Sequence, residues 1–132
     1  METFRNVVVV LVVGFVALTL GLQIVAQRRA ARLKGQPLPS LPGATGARIA
    51  ASERALIYFF TPSCAACRAV TPRMKALAAQ GKPVFPIDAS LDPSIAQALS
   101  VMATPTTVEV DHGQVVGVHI GPIAADIWSR FS

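Results

Sequence analysis

The chain has 132 residues, of which 52% are hydrophobic and 14% are charged. This length holds one domain, and the composition excludes disorder driven by charge repulsion. The two cysteines are too few for the disulfide-dense scaffold of small secreted proteins. The formal net charge of +5 is carried by residues 28–48, because acidic and basic residues balance on either side of that block. We therefore expect no nucleic-acid partner, since the folded part presents no basic face.

The first predicted element is a membrane anchor within residues 1–27. Residues 7–26 contain no charged side chain and consist mainly of valine and leucine. A helix of this length spans about 30 Å, which matches the hydrocarbon core of a bilayer. The alternative is a cleaved signal peptide, whose apolar region is shorter and ends in a small-x-small cleavage site. Ile24 stands two places before Ala26 and makes a poor cleavage context. The sequence therefore predicts an uncleaved helix that contacts membrane lipid through residues 7–26.

Basic residues predict the orientation of this anchor. Arg28, Arg29, Arg32 and Lys34 follow the apolar run, whereas only Arg5 precedes it. The positive-inside rule places the more basic side in the cytoplasm. The C-terminal domain is therefore predicted to be cytoplasmic, with an extracytoplasmic domain as the alternative.

A linker is predicted between the anchor and the folded domain, within residues 28–48. Residues 35–47 read GQPLPSLPGATGA and contain three prolines and three glycines. This composition is typical of a loop and disfavours both a helix and a strand.

Residues 49–132 are predicted to form an α/β domain with the element order βαβαββα. The apolar run ALIYFF at residues 55–60 is typical of a strand buried on both faces. A helix is predicted over residues 64–80, kinked at Pro72 and ended by Gly81. The remaining predicted elements are a strand at 83–87, a helix at 92–99, a hairpin of strands 106–110 and 114–120 turning at 111–113, and a helix at 122–131.

The chemistry of the chain is concentrated in the motif Cys64-Ala65-Ala66-Cys67. The motif follows a predicted strand and begins a predicted helix, where free N–H groups and the helix dipole stabilise a thiolate. Cys64 is therefore predicted to be the attacking thiolate. Cys67, one turn further along, is predicted to resolve a mixed disulfide. The two alanines add neither charge nor hydrogen bonds, which favours a moderate reductant over a strong oxidant.

Two other interpretations of the cysteine pair are a structural disulfide and half of a metal site. A metal ion needs about four ligands, and only His112 and His119 could join the cysteines. These histidines lie in the predicted turn and the following strand, without paired spacing. No metal site is predicted, and nothing in the sequence calls for a cofactor.

The segment YFFTPSCAACRAVTP and the later run Ala103-Thr104-Pro105-Thr106 resemble the thioredoxin superfamily. The resemblance covers roughly residues 54–128, and the second run is similar to the family's cis-proline loop. It implies that Pro105 is cis and flanks Cys64, and that the backbone of Thr104 pairs with an extended substrate segment. It also implies two kinds of partner, protein disulfide substrates and an upstream thiol reductant.

Three positions depart from the family's pattern. Tyr58 stands where thioredoxins carry a buried aspartate, Val84 where a lysine often accompanies it, and Ser63 where a tryptophan precedes the motif. The aspartate is the family's proton acceptor for the second cysteine, whereas Tyr58 is predicted to be a packed strand residue. The family's first strand and helix are predicted to be missing, which leaves the minimal four-stranded version of the fold.

The sequence as a whole predicts a minimal thioredoxin-like domain preceded by one N-terminal transmembrane helix. Its predicted function is that of a membrane-tethered thiol–disulfide oxidoreductase. The alternative is a non-catalytic thioredoxin-fold module that tethers or docks a partner. The missing aspartate favours the docking module, while the intact cysteine motif and the Thr104-Pro105 pair favour the enzyme.

Overall fold

The computed structural model describes residues 1–131, apart from the side chains of Ala30 and Leu33. The helices in this part of the chain are α1 Glu2–Leu33, α2 Gly43–Ala51, α3 Thr71–Ala79, α4 Ser94–Ala98 and α5 Ala125–Phe131. The strands are β1 Arg54–Phe60, β2 Val84–Asp88, β3 Thr106–Asp111 and β4 Gln114–Ile120. From β1 onward the order is βαβαββα, which confirms the predicted α/β architecture.

Helix α1 is one continuous helix of 32 residues with exposed apolar side chains. Within the described chain, Glu2–Arg29 is the one segment long and apolar enough to cross a membrane, with a mean hydropathy of 2.7. None of its most apolar stretch is buried against the rest of the molecule. Length and composition alone support a membrane span, and a signal sequence meets the same criterion.

The prediction that residues 35–47 form neither helix nor strand is wrong in its second half, because α2 begins at Gly43. Ile49 of α2 is fully buried. Gly46 lies so close to Leu41 that an added Cβ would be 2.6 Å from the Leu41 carbonyl oxygen. Tertiary packing thus stabilises a glycine-containing helix whose intrinsic propensity is low. A helix therefore precedes β1, where the sequence predicted none.

The first half of the same segment runs along the outer edge of β4. Three backbone hydrogen bonds join residues 35–38 to residues 113–115, with N···O distances of 2.6, 2.8 and 2.9 Å. An isolated antiparallel bridge lies at the same place. Leu38 and Leu41 pack against the core. Residues 35–41 are therefore held on the folded domain and do not form a free tether.

The sheet of the described chain has the strand order β2-β1-β3-β4. Strands β1 and β2 are parallel, while β3 pairs antiparallel with both β1 and β4. The β3–β4 turn places His112 and Gly113 at φ of 49° and 74°, as a two-residue hairpin turn requires. Strand β1 lies at the centre of the sheet, and its carboxyl end leads directly into the cysteine motif.

Successive side chains of β1 point to opposite faces of the sheet and enter two separate cores. Ile57 and Phe59 pack with α2 and α4 on one face, here called the apolar face. Leu56, Tyr58 and Phe60 pack with α3 and α5 on the other, here called the motif face. Every residue from 55 to 60 is buried, which confirms the prediction of a strand covered on both sides.

Candidate active site

The two cysteines lie just beyond the end of β1 and form a disulfide with a Cα–Cα distance of 5.3 Å. The Cys64 backbone N–H donates to the Thr61 carbonyl at 3.2 Å, which turns the chain back over the sheet. Cys64 is half-buried, whereas Cys67 is only 1% exposed and packs with Tyr58 and Met74 on the motif face. The sulfur that a partner can reach therefore belongs to Cys64.

The prediction that the helix starts at Cys64 and is kinked by Pro72 is wrong. Residues 65–70 form successive turns, and the regular helix α3 starts at Thr71. Pro72 lies in the first turn of α3, where its missing N–H would have no helical partner. The Cys67 backbone N–H points at Cys64 Sγ at 3.2 Å. In the reduced protein this N–H group is placed to donate to a Cys64 thiolate, in place of the predicted N-terminus of a long helix.

Three charged side chains share a shallow depression with Cys64. Arg68, Lys75 and Asp88 line it together with Cys64. The pKa of Asp88 is lowered mainly by a hydrogen bond from the Ser90 hydroxyl. The positive charge of Lys75 lowers it further by a smaller amount. Two cations thus face one ionised carboxylate, and the excess positive charge favours the Cys64 thiolate. These charged residues were not among the predicted site residues, although Arg68 directly follows Cys67 in the sequence.

Tyr58 occupies a buried position beside the cysteines. Its side chain is fully buried, and its hydroxyl shares a 2.9 Å hydrogen bond with the Thr71 hydroxyl. Burial raises the pKa of Tyr58, although the Thr71 hydrogen bond opposes part of this effect. The phenol therefore stays protonated at neutral pH and is a poor acceptor for a proton from Cys67. The geometry agrees with the predicted packing role.

The Thr104–Pro105 peptide bond is cis, and the loop around it is fixed by neighbouring hydrogen bonds. The Thr106 hydroxyl donates to the Ala103 carbonyl at 2.6 Å, and the Gly121 N–H donates to the Pro105 carbonyl at 2.9 Å. Thr104 lines a second depression, which shares Thr61 with the depression at Cys64. The structure therefore brings Thr104 and Cys64 to adjoining surfaces.

The two histidines lie away from the cysteine motif. His112 contacts Asp111 and Glu53 in the β3–β4 turn, and His119 contacts Glu109 at 3.0 Å. Within residues 1–131, no cluster of three or more His, Cys, Asp or Glu side chains is arranged to hold a metal ion. Neither histidine joins the cysteine pair.

Comparison with known proteins gives consistent matches. The family model for thioredoxin matches residues 46–130. The chain is similar to mitochondrial thioredoxin 3 from Saccharomyces cerevisiae in its oxidized form, with 26% identity, coverage of 71% of this chain and 92% of that chain, and a TM-score of 0.55. It is also similar to a thioredoxin from Fasciola hepatica, with 25% identity, coverage of 59% and 77%, and a TM-score of 0.51.

A mutant thioredoxin from Halobacterium salinarum shares the fold at 24% identity, with coverage of 73% of this chain and 91% of that chain and a TM-score of 0.55. Comparison with curated protein sequences gave no match. The family match spans more than half of the chain and includes the cysteine motif, α3 and the loop at Pro105. The chain therefore belongs to the thioredoxin family, and its Cys64–Cys67 pair supports thiol–disulfide oxidoreductase activity.

Proposed function

We propose that this protein is a membrane-tethered oxidoreductase that reduces or exchanges protein disulfides through Cys64 and Cys67. The unequal exposure of the two bonded cysteines carries the proposal. Cys64 is half-buried and reachable, whereas Cys67 is 1% exposed. A substrate sulfur can approach one cysteine only, and the second is in place to resolve the intermediate.

The proposed reaction is a two-step exchange that starts from the reduced pair. The Cys64 thiolate attacks a substrate disulfide, forms a mixed disulfide and releases the first substrate thiolate, which takes up a proton. Cys67 loses its proton and attacks Cys64 Sγ, which releases the second substrate sulfur as a thiol. The substrate gains two electrons and two protons, and the protein ends as the Cys64–Cys67 disulfide. A thiol reductant resets the pair by the reverse exchange.

Substrate binding is assigned to the loop at Thr104 and Pro105. Thr104 lines the depression next to Cys64, and two hydrogen bonds hold the flanking backbone in place. An extended substrate segment that pairs with the Thr104 backbone would pass over the shared residue Thr61 towards Cys64. A preformed loop lowers the ordering cost of binding an extended peptide.

Tethering is assigned to α1 as an uncleaved anchor, with residues 7–26 in the hydrocarbon core. The exposed apolar surface of α1 supports this assignment. The basic residues that follow the span favour a cytoplasmic domain, where a reducing thiol pool would drive reductase activity. The domain boundaries after residues 27 and 48 stay predictions. Leu38 and Leu41 pack against the core, which favours a folded unit that includes both residues.

Trapping of intermediates tests the proposed roles of the cysteines. In the full chain, Cys67→Ser should accumulate mixed disulfides with substrate proteins, while Cys64→Ser should accumulate none. Insulin reduction by the unaltered chain in detergent provides the matching activity measurement. Equal trapping by both variants would refute the assignment, and trapping without any turnover would favour the docking module.

The orientation of the domain has a separate test. A membrane-impermeant maleimide is applied to intact cells that contain the Cys67→Ser variant. Protection of Cys64 until the membrane is permeabilised is expected for a cytoplasmic domain. Labelling in intact cells would place the domain outside and direct the search to extracytoplasmic disulfides.

A further inference from the structure

The last turns of α1 contact the folded domain along β4. Gln27, Ala31 and Lys34 share a surface with Val118 and Ile120 of β4. The chain that follows is short and is immediately bound to the edge of β4 by the backbone hydrogen bonds of residues 35–38. Anchor and domain are therefore joined by a packed contact and an ordered connection.

The loop that precedes Pro105 meets α1 close to the end of its apolar run. Arg29 Nη1 donates to Met102 Sδ at 2.7 Å. Ala26 and Arg29 also line an apolar cavity of about 50 Å³ together with Met102 and Ala103. Met102 is 77% exposed even though its side chain is apolar.

These contacts place the loop at the membrane surface when residues 7–26 lie in the hydrocarbon core. At about 1.5 Å per residue, residues 27–33 rise only about 10 Å above the core, a distance comparable to the headgroup layer. Met102 contacts α1 at this level, and its exposed apolar side chain suits the interface between headgroups and acyl chains. Basic residues of α1 at the same level suit anionic headgroups.

Two adjoining depressions connect this loop to the reactive cysteine. Met102, Thr104 and Thr61 line the first, and Thr61 and Cys64 line the second. Pro105 follows Met102 by three positions, which span at most about 11 Å. A segment that passes through both depressions to Cys64 therefore begins at the loop that contacts α1, next to the bilayer surface.

We propose that the dithiol acts on disulfides of membrane-anchored proteins that lie next to the bilayer surface, and that the packing of α1 on β4 sets this height. This substrate class rests on the redox activity proposed above. The chemistry is the same two-step exchange, and the added claim concerns the position of the substrate disulfide. Disulfides on long tethers or far from the membrane are poor substrates because they rarely occupy that position.

The test uses one disulfide-bearing peptide in three settings, with the full chain reconstituted in vesicles. The peptide is free in solution, or is attached to a transmembrane helix through a Gly/Ser tether of about four or about 30 residues. The initial rate of peptide reduction is measured with an excess of a small dithiol as reductant. Because the anchors diffuse freely in the bilayer plane, a longer tether dilutes the peptide only along the membrane normal, roughly as the square root of tether length. The short tether should therefore react about threefold faster than the long one.

A variant with about 12 Gly/Ser residues inserted between Lys34 and Gly35 separates the anchor from the domain by roughly 20 Å of flexible chain. The insertion leaves the pairing of residues 35–38 with β4 in place. The same insert between Met1 and Glu2 is the matched control, because it adds equal length at the other end of α1. The Lys34–Gly35 insertion should reduce the preference for the short tether to about 1.6-fold, while the control insertion keeps it at about threefold.

The free peptide distinguishes failure of this substrate class from failure of the redox function. Equal rates for free peptide in all three proteins show that each is folded and active. If the unaltered chain reduces free peptide but reduces the short-tether and long-tether peptides at equal rates, the membrane-surface preference alone is overturned. No reduction of any peptide would overturn the redox function and the substrate class together.

Discussion

On one face of β1, Ile57 and Phe59 meet apolar side chains, whereas on the other face Tyr58 shares its cluster with Cys67. The motif face also carries a hydroxyl pair between Tyr58 and Thr71 and a buried carboxylate at Glu109. The same strands build both faces, so the difference comes from the alternation of side chains along each strand. Both faces bury apolar clusters, but the cysteine pair, the Tyr58–Thr71 hydroxyl pair and the Glu109 carboxylate all lie on the motif face.

The Glu109 carboxylate is the most buried charged group of the motif face. Arg130 of α5 donates to it at 2.8 Å, and His119 contacts it at 3.0 Å. Gly117, opposite Glu109 in the sheet, makes room for both, because an added Cβ would lie 2.8 Å from the carboxylate and 2.9 Å from the His119 ring. This cluster ties α5 to the sheet without entering the redox site.

Removing a core side chain from the apolar face should have the largest effect on stability. Ile57→Ala removes a fully buried side chain and leaves a cavity, which should lower the free energy of unfolding by about 2–4 kcal/mol. Denaturant unfolding of the full chain in detergent measures this change, with the exposed Val116→Ala as control. A loss equal to that of the control would show that burial of Ile57 does not stabilise the fold. Peptide reduction below the unfolding transition should stay unchanged.

Breaking the charged cluster of the motif face should have the next largest effect. Arg130→Met leaves the Glu109 carboxylate, whose side chain is 10% exposed, with His119 as its remaining partner. Because Arg130 itself is 42% exposed, the cost should be about 2 kcal/mol rather than that of a fully buried pair. Asp126→Asn removes the exposed partner of Arg130 and should cost under about 0.5 kcal/mol. Equal losses in the two variants would contradict the role assigned to Glu109.

A stabilising substitution should exist on the same face. Thr107 is fully buried, and within the described chain its hydroxyl oxygen has no hydrogen-bond partner. Thr107→Val replaces that hydroxyl with a methyl group of similar shape and should raise the free energy of unfolding by about 1 to 2 kcal/mol. Thr107→Ser keeps the hydroxyl and should not stabilise the protein. A destabilised valine variant would indicate that the hydroxyl has a partner in solution.

Tyr58→Phe separates packing from proton transfer. Loss of the hydrogen bond to Thr71 should lower the free energy of unfolding by about 1 kcal/mol, because Thr71 is half-buried and can bond to water instead. The pH profile of dithiol oxidation should be unchanged, since the raised pKa keeps the phenol protonated. A profile displaced along the pH axis in a folded variant would instead make Tyr58 a proton relay.

The smallest expected effect concerns pH and the β3–β4 turn. The hydrogen bond to Asp111 is the main cause that raises the pKa of His112 above its ordinary value of 6.5, and Glu53 adds to it. Its stabilising contribution is therefore complete below about pH 6.5 and is lost as pH rises through the folded-state pKa. Asparagine tolerates the positive φ at this position, so His112→Asn should keep the turn. Between about pH 6 and pH 9, the Tm of this variant should fall less than the Tm of the unaltered chain. An unaltered decline would show that His112 does not cause it.

The local sequence pattern was sufficient to predict the elements whose structure depends mainly on neighbouring residues. The run at residues 55–60 predicted a strand buried on both faces, and β4 has the predicted bounds. The position of Cys64 and Cys67 after that strand was predicted as well. The helix over residues 64–80 was misplaced at its start, because hydrogen bonds among residues 64–71 favour successive turns that no composition reveals.

Long-range contacts decided the rest. Helix α2 exists because Ile49 enters the core and Gly46 packs on Leu41, which outweighs the glycines and prolines around it. The charged group at Cys64 and the partners of Glu109 come from separate elements, so no spacing in the sequence could pair them. By itself the sequence determined a thioredoxin-like order of strands, a dithiol and an apolar N-terminal helix, because each depends on local pattern. Only the tertiary structure decided which charged side chains lie beside Cys64 and how close the Pro105 loop is to the end of α1, because both depend on contacts between distant parts of the chain.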